Sequence, residues 1–170
     1  EGMQLVLSDE NLTPEERLKV GQVLSASFGF NGLAAGQFVD LKIKDKHVNF
    51  EIIEFINQKK TAALFSAAGK IAAIIGHADE KQTKAIQDFS DDIGFAFQIV
   101  DDMLDMIGEE KVVGKNLEHD RMNFVKLVGM EEAKKYLQEY HQKAEKALNI
   151  FGERAAGLRE LSEYLIQRVR

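Results

Sequence analysis

GFAFQIVDDMLDMIG, residues 94–108, is an apolar run interrupted by three carboxylates, Asp101, Asp102 and Asp105. A helix that buries most of its surface has little reason to carry them. Asp101 and Asp105 are four apart and share one helical face, with Asp102 beside them. Like charges at that spacing destabilise a helix by about 0.2–0.5 kcal/mol. Aspartate is also a poor helix former, and burial raises the cost unless cations compensate. Lys or Arg partners relieve such a cluster, and so does a hard metal. Carboxylate oxygens suit magnesium, which takes one or two carboxylates and completes its shell with phosphate and water. A solvated acidic face is the plainer reading, and the apolar flanks argue against it. An EF-hand loop is excluded, because Met103 and Met106 occupy places that such a loop gives to carboxylates and glycine.

Two basic elements bracket this stretch. Lys59-Lys60-Thr61 lies inside a long helix, just before its apolar half. A lysine there either snorkels to the surface or points into a polar cavity. Lys115, in VVGKN, follows the aspartates across a loop, and Gly114 leaves the backbone free to fold back over them. A third element, GQFVD at 36–40, sets Gln37 and Asp40 on one side of a helix beside a glycine that permits close approach. A helix-packing glycine with a surface aspartate explains it equally well. Asp88, Asp91 and Asp92 flank Ser90 and read as acids at a break or restart of the helix. His47, His77, His119 and His141 are scattered without metal-ligand spacing and read as surface residues.

The remaining sequence reads as helix throughout. Of 170 residues, 45% are hydrophobic and 29% charged, enough to bury the core of one ordinary domain. The net charge of −6 argues against nucleic-acid binding. Absence of cysteine removes disulfides, zinc thiolates and a cysteine nucleophile, which fits a cytoplasmic protein. EGMQLVLSDEN lacks the basic start and cleavage site of a signal peptide. TAALFSAAGKIAAII, 61–75, is shorter than the roughly 20 residues of a bilayer span and carries Lys70, so it reads as a buried helix and not a transmembrane segment.

Thr13-Pro14-Glu15-Glu16 predicts a helix start, with Thr13 as N-cap, running to about Ser27. The glycines Gly29, Gly32 and Gly36 mark a bend or thin face, after which helix resumes to about Leu41. KIKDKH, 42–47, is a polar connection. Asn49 caps a long helix over 50–75, Gly76-His77-Ala78-Asp79 ends it, and another helix spans 80–107. Residues 108–123 read as a loop, 130–151 as helix, and 158–169 as a last amphipathic helix. The expected architecture is an all-α bundle of long helices.

Taken in order, GQFVDL (36–41), KKTAALFSAAGKIAA (59–73), GFAFQIVDDMLDMIG (94–108), VGKN (113–116) and YLIQR (164–168) resemble the trans-isoprenyl diphosphate synthase family, most closely its bacterial farnesyl diphosphate synthases. FQxxDDxxD matches the family's second aspartate-rich motif. The resemblance covers essentially the whole chain but only the C-terminal half to two-thirds of the family's usual length. It implies that residues 1–170 are the C-terminal part of a single isoprenoid-synthase domain, a helical bundle around a central cavity, with the first aspartate-rich motif absent. It implies a prenyltransferase that joins an allylic diphosphate to isopentenyl diphosphate and releases diphosphate.

Residue by residue, the resemblance assigns Asp101, Asp102 and Asp105 to Mg2+ bridging the allylic diphosphate. Lys60 and Lys115 contact that diphosphate. Thr61 and Gln98 line the same pocket near the breaking bond. Gln37 and Asp40 lie by the allylic chain, Phe97 keeps water from the carbocation, and Arg168 or Arg170 helps close the site. A homodimer is typical of the family.

Three departures bear on these expectations. The upstream residues that hold isopentenyl diphosphate are absent, so the segment alone is expected to be inactive. Ala35-Gly36-Gln37 stands where the family often has GGQ. The glycine-lysine loop usual after Asp120 looks several residues short, as if residues had been removed there. Four alternatives stay open: a geranylgeranyl diphosphate synthase, a diphosphate-binding fragment or regulatory subunit, a structural bundle with an incidental acidic face, and a terpene cyclase.

Overall fold

The computed structural model describes residues 2–43, 48–111 and 122–169. Expectations placed on His47, Gly114, Lys115, His119, Asp120 and Arg170 lie outside these residues. All regular structure among the described residues is helical.

Local chemistry sets the helix starts. α1 spans Gly2–Ser8 and α2 spans Pro14–Phe28. At the start of α2, Thr13 Oγ1 accepts from the Glu16 N–H at 3.2 Å, and the Thr13 N–H donates to Glu16 Oε2 at 2.7 Å. This reciprocal capping box satisfies two donors that a bare helix end would orphan. α3 follows at Leu33–Lys42. Asn49 caps α4, Phe50–Ile56, accepting from the Ile52 N–H at 3.0 Å. The helix expected over 50–75 is continuous but not uniform. Its middle, Asn57–Ala62, widens into a π-helical segment before α5, Ala63–Ile75.

α6 runs unbroken over Glu80–Lys111, about 48 Å at 1.5 Å per residue. The break expected near Ser90 does not exist. Ser90 is buried and its hydroxyl donates to the Ile86 carbonyl at 2.7 Å, so the helix tolerates it without opening. Two short helices escaped the sequence pattern: α1, and α7 at Phe124–Val128. α8 spans Met130–Ala147 and passes into a 3-10 segment, Leu148–Ala155, where Gly152 turns the chain at φ 56°. α9, Ala156–Gln167, is the last.

α6 is the central post. Its buried Ile93, Phe95, Ala96, Ile99, Val100 and Met103 pack against Phe124 and Val125 of α7, Ala133, Leu137 and Ala144 of α8, and Leu165 and Ile166 of α9. Each large aliphatic or aromatic side chain buried this way stabilises the fold by about 1.5–3 kcal/mol relative to exposure. Phe124 anchors an aromatic knot. Its ring lies 5.9 Å from Phe50 and Phe95 and 5.3 Å from Tyr136, and Phe95 stacks on Tyr140 at 4.4 Å.

The opposite side of α6 meets the π segment and α5 through small residues. A Cβ at Gly94 would sit 2.9 Å from Ala62 Cα. Among the described residues, no helix is long and apolar enough to cross a membrane.

Candidate functional site

Three elements bring expected residues together beside the C-terminal half of α6. The first link is a hydrogen-bonded chain. The Thr61 hydroxyl donates to Gln98 Oε1 at 2.6 Å, and Gln98 Nε2 donates to Asp102 Oδ1 at 2.8 Å. The Phe124 N–H donates to Asp102 Oδ2, also at 2.8 Å. Asp102 is only 6% exposed. Burial pushes its carboxyl up to about 6, against the pull of the Gln98 and Phe124 donors.

The structure therefore divides the three aspartates. Asp102 faces the interior. Asp101 is half-buried and Asp105 exposed, one helical turn apart on the outer side.

The second link joins α3 to the π segment. Lys60 Nζ pairs with Asp40 Oδ2 at 2.8 Å. The glycine of GQFVD has a steric reason: a Cβ at Gly36 would lie 2.5 Å from the Lys60 backbone nitrogen. What approaches it closely is therefore helix backbone, and Asp40 is a paired residue. Gln37, next along α3, is half-buried.

The third link comes from the C-terminus. Arg168 Nη1 lies 3.4 Å from Asp101 Oδ1, and its guanidinium sits over the Phe97 ring at 5.9 Å. Phe97 in turn packs against Phe65 at 5.3 Å. Burial raises the Asp101 pKa and Arg168 opposes the shift.

As a donor set, Asp101 and Asp105 fit a hard divalent cation with vacant positions for phosphate and water. Among the described residues, no three His, Asp or Glu side chains converge as a self-sufficient metal cage. A magnesium ion here would complete its shell with other oxygen ligands such as phosphate and water.

A cleft of about 640 Å³ lies beside this constellation, between α2, α5 and α6. Lys59, Lys70, Glu54, Asp91, Asp92 and Tyr140 are among its lining residues, but none of the three motif aspartates is.

Several contributors were missed or misjudged from sequence. Asn57, four residues before Thr61, is 5% exposed, and its Nδ2 has no hydrogen-bond partner among the described residues. Asp92 was read as an acid at a break or restart of the helix; it is half-buried, and burial pushes its pKa up to about 6. His141 was expected on the surface. Its side chain is instead largely buried, with Nδ1 2.8 Å from the hydroxyl of the buried Ser162. His77 is exposed, as expected.

Long helices packed around the central α6 define an all-α bundle of the isoprenoid-synthase type. The polyprenyl synthetase family signature matches residues 6–157, and the chain belongs to this family.

A chloroplastic geranylgeranyl pyrophosphate synthase of Capsicum annuum is 36% identical over 170 residues, covering 96% of this chain and 46% of that protein. Farnesyl diphosphate synthase of Escherichia coli (strain K12) is 29% identical over 174 residues, covering 96% and 58%. The fold also matches a solved geranyltransferase from Helicobacter pylori, complexed with magnesium and isoprenyl diphosphate. The TM-score there is 0.78 at 27% identity, over 97% of this chain and 55% of that one. The chain thus spans about half the length of the curated relatives it matches.

Proposed function

We propose that this chain is the C-terminal portion of a prenyl diphosphate synthase. The enzyme transfers an allylic group from its diphosphate to isopentenyl diphosphate, extending the chain by one isoprene unit. The observation that carries this reading is the hydrogen-bonded run from Thr61 through Gln98 to Asp102, with Lys60 next to Thr61 on the π segment and Asp101, beside Asp102 on α6, paired with Arg168.

Asp101 and Asp105 face outward as the carboxylates for magnesium. Bound there, the metal supplies positive charge to the departing diphosphate. Lys60, and Lys115 beyond the described residues, supply further positive charge to the same group. Thr61 and Gln98 orient polar atoms near the bond that breaks. Phe97 presents an aromatic face beside Arg168 and excludes water from the allylic cation. Gln37 and Asp40 border the path of the allylic chain, and Arg168 closes over the site. The enzyme acts as a cytoplasmic homodimer.

We take farnesyl diphosphate as the product, with geranylgeranyl diphosphate as the alternative that the plant relatives' names raise. The test incubates full-length protein with magnesium, isopentenyl diphosphate and labelled geranyl diphosphate, and reads products by chromatography. A C15 product, or a C20 product under the alternative, is expected. Absence of any elongated prenyl product refutes the reading. A second reading, a diphosphate-binding fragment or subunit, draws on the half-length coverage of the relatives. It predicts magnesium-dependent diphosphate binding without turnover.

A further inference from the structure

Asp102 accepts from two donors on two different elements, the Gln98 amide of α6 and the Phe124 N–H of α7. An ionised carboxylate only accepts. Gln98 must therefore turn its NH2 toward Asp102, at 2.8 Å, and its carbonyl oxygen toward Thr61, whose hydroxyl must then donate, at 2.6 Å. The other carboxylate oxygen holds the Phe124 N–H at 2.8 Å. That donor belongs to the first residue of α7, one of the N–H groups that a helix leaves without an internal partner. Asn123 covers another of these groups, accepting from the Lys126 N–H at 2.8 Å. Phe124 itself is fully buried in the aromatic knot.

We propose that Asp102 is a positioning residue, distinct in role from its neighbours Asp101 and Asp105. It pins α7 to α6 and, through Gln98, fixes Thr61 on the π segment. The outward aspartates are left to meet a divalent cation, while Asp102 keeps α6, α7 and the π segment in register. This deepens the functional reading above and rests on it for the role given to Asp101 and Asp105.

The network makes an unusual demand on substitutions. Asp102→Asn is tolerated if the chain of donors reverses. The new amide donates to Gln98 Oε1, Gln98 Nε2 donates to the Thr61 hydroxyl, and Asn Oδ1 still accepts from Phe124. Asp102→Ala has no such solution. Gln98→Glu sets two carboxylates against each other, and combining it with Asp102→Asn restores a complete set of partners.

The test uses full-length protein and two readouts. Amide hydrogen exchange at Phe124, in metal-free protein, is expected to stay within about threefold of wild type in D102N and in the Q98E/D102N double variant. It is expected to quicken by about tenfold or more in D102A and Q98E. Mn2+ binding in the presence of inorganic diphosphate, read by electron paramagnetic resonance, is expected to survive in D102N and to fall about tenfold or more in D101N.

Loss of Mn2+ binding in D102N to the extent seen in D101N overturns the proposal, because Asp102 would then be a ligand. Unchanged Phe124 exchange in D102A, or in Q98E should D102A not fold, also overturns it. If wild type binds no Mn2+ with diphosphate while the exchange pattern holds, the functional reading fails and the positioning role stands.

Discussion

Gly36→Ala tests whether the α3 contact with the π segment mounts the site. A Cβ at Gly36 would stand 2.5 Å from the Lys60 nitrogen, 2.9 Å from the Lys59 carbonyl carbon and 3.0 Å from Lys59 Cβ. The two nearest atoms are backbone and cannot rotate away. Restoring ordinary contact at 3.5 Å or more moves the two elements apart by about 1 Å. Overpacking of this kind costs about 1–3 kcal/mol, which lowers Tm by roughly 3–10 °C for a chain of this size.

Gly21→Ala is the internal control. Gly21 sits within α2, and its added Cβ meets only Met3 Sδ at an ordinary 3.7 Å. Replacing a helix-interior glycine there gains about 0.5–1 kcal/mol, raising Tm by about 1–4 °C. Differential scanning calorimetry reads both, and backbone NMR shifts at Lys59–Ala62 report whether the π segment moves in Gly36→Ala alone. Should Gly36→Ala melt at or above wild type with those shifts unmoved, the close approach is not what fixes Lys60, and the steric argument fails.

Further expectations concern charge and buried polar groups. Burial raises Asp92 to about 6 from an ordinary value of 3.8, so the folded state holds a proton that the unfolded chain has released between those values. The resulting stability is present below about pH 4 and lost as pH rises through about 6. The urea midpoint of wild type should therefore fall across that window more steeply than that of Asp92→Asn, and identical slopes would contradict the burial argument. Asn57→Leu removes a buried donor without a described partner, so Tm should hold or rise; a clear drop would show that the amide is satisfied after all. His141→Ala leaves the fully buried Ser162 hydroxyl short of its 2.8 Å partner and should cost about 1–3 kcal/mol. A double-mutant cycle with Ser162→Ala should show coupling, and strictly additive effects would argue against the pairing.

What could be read from the sequence follows the range of the forces involved. The Thr13 and Asn49 caps act between residues three apart, so a short window contains both partners. The helical class and the apolar face of α6 follow from period alone. The division of the aspartates does not. Successive helix residues are rotated by about 100°, so neighbouring Asp101 and Asp102 enter different surroundings, and only α7 decides which faces inward. The π segment is equally non-local, because its backbone is set against Gly36, more than twenty residues earlier. His141 finds Ser162 across 21 residues, and Ser90 escapes breaking α6 through a bond that composition cannot reveal.

The pairings also bear on how an anion would be held. Lys60 is engaged by Asp40, and Arg168 lies beside Asp101. Asp102 is held by neutral donors and Asp105 lies exposed one turn on. Apart from the inward Asp102, three carboxylates, Asp40, Asp101 and Asp105, thus stand with two cations among these described groups. Such a balance attracts divalent cations more readily than a free diphosphate, whose own charge repels the carboxylates. A diphosphate reaching this part of α6 would need a divalent cation held by the outward aspartates to offset their charge, and Lys60 would be shared between Asp40 and phosphate oxygen. Diphosphate binding should therefore require the metal: titration of inorganic diphosphate in excess chelator should show little affinity, and magnesium should restore it. Asp40→Asn should weaken that requirement by freeing Lys60 and removing one negative charge. Binding of equal strength with and without magnesium in wild type would mean that cations beyond these described groups dominate the site.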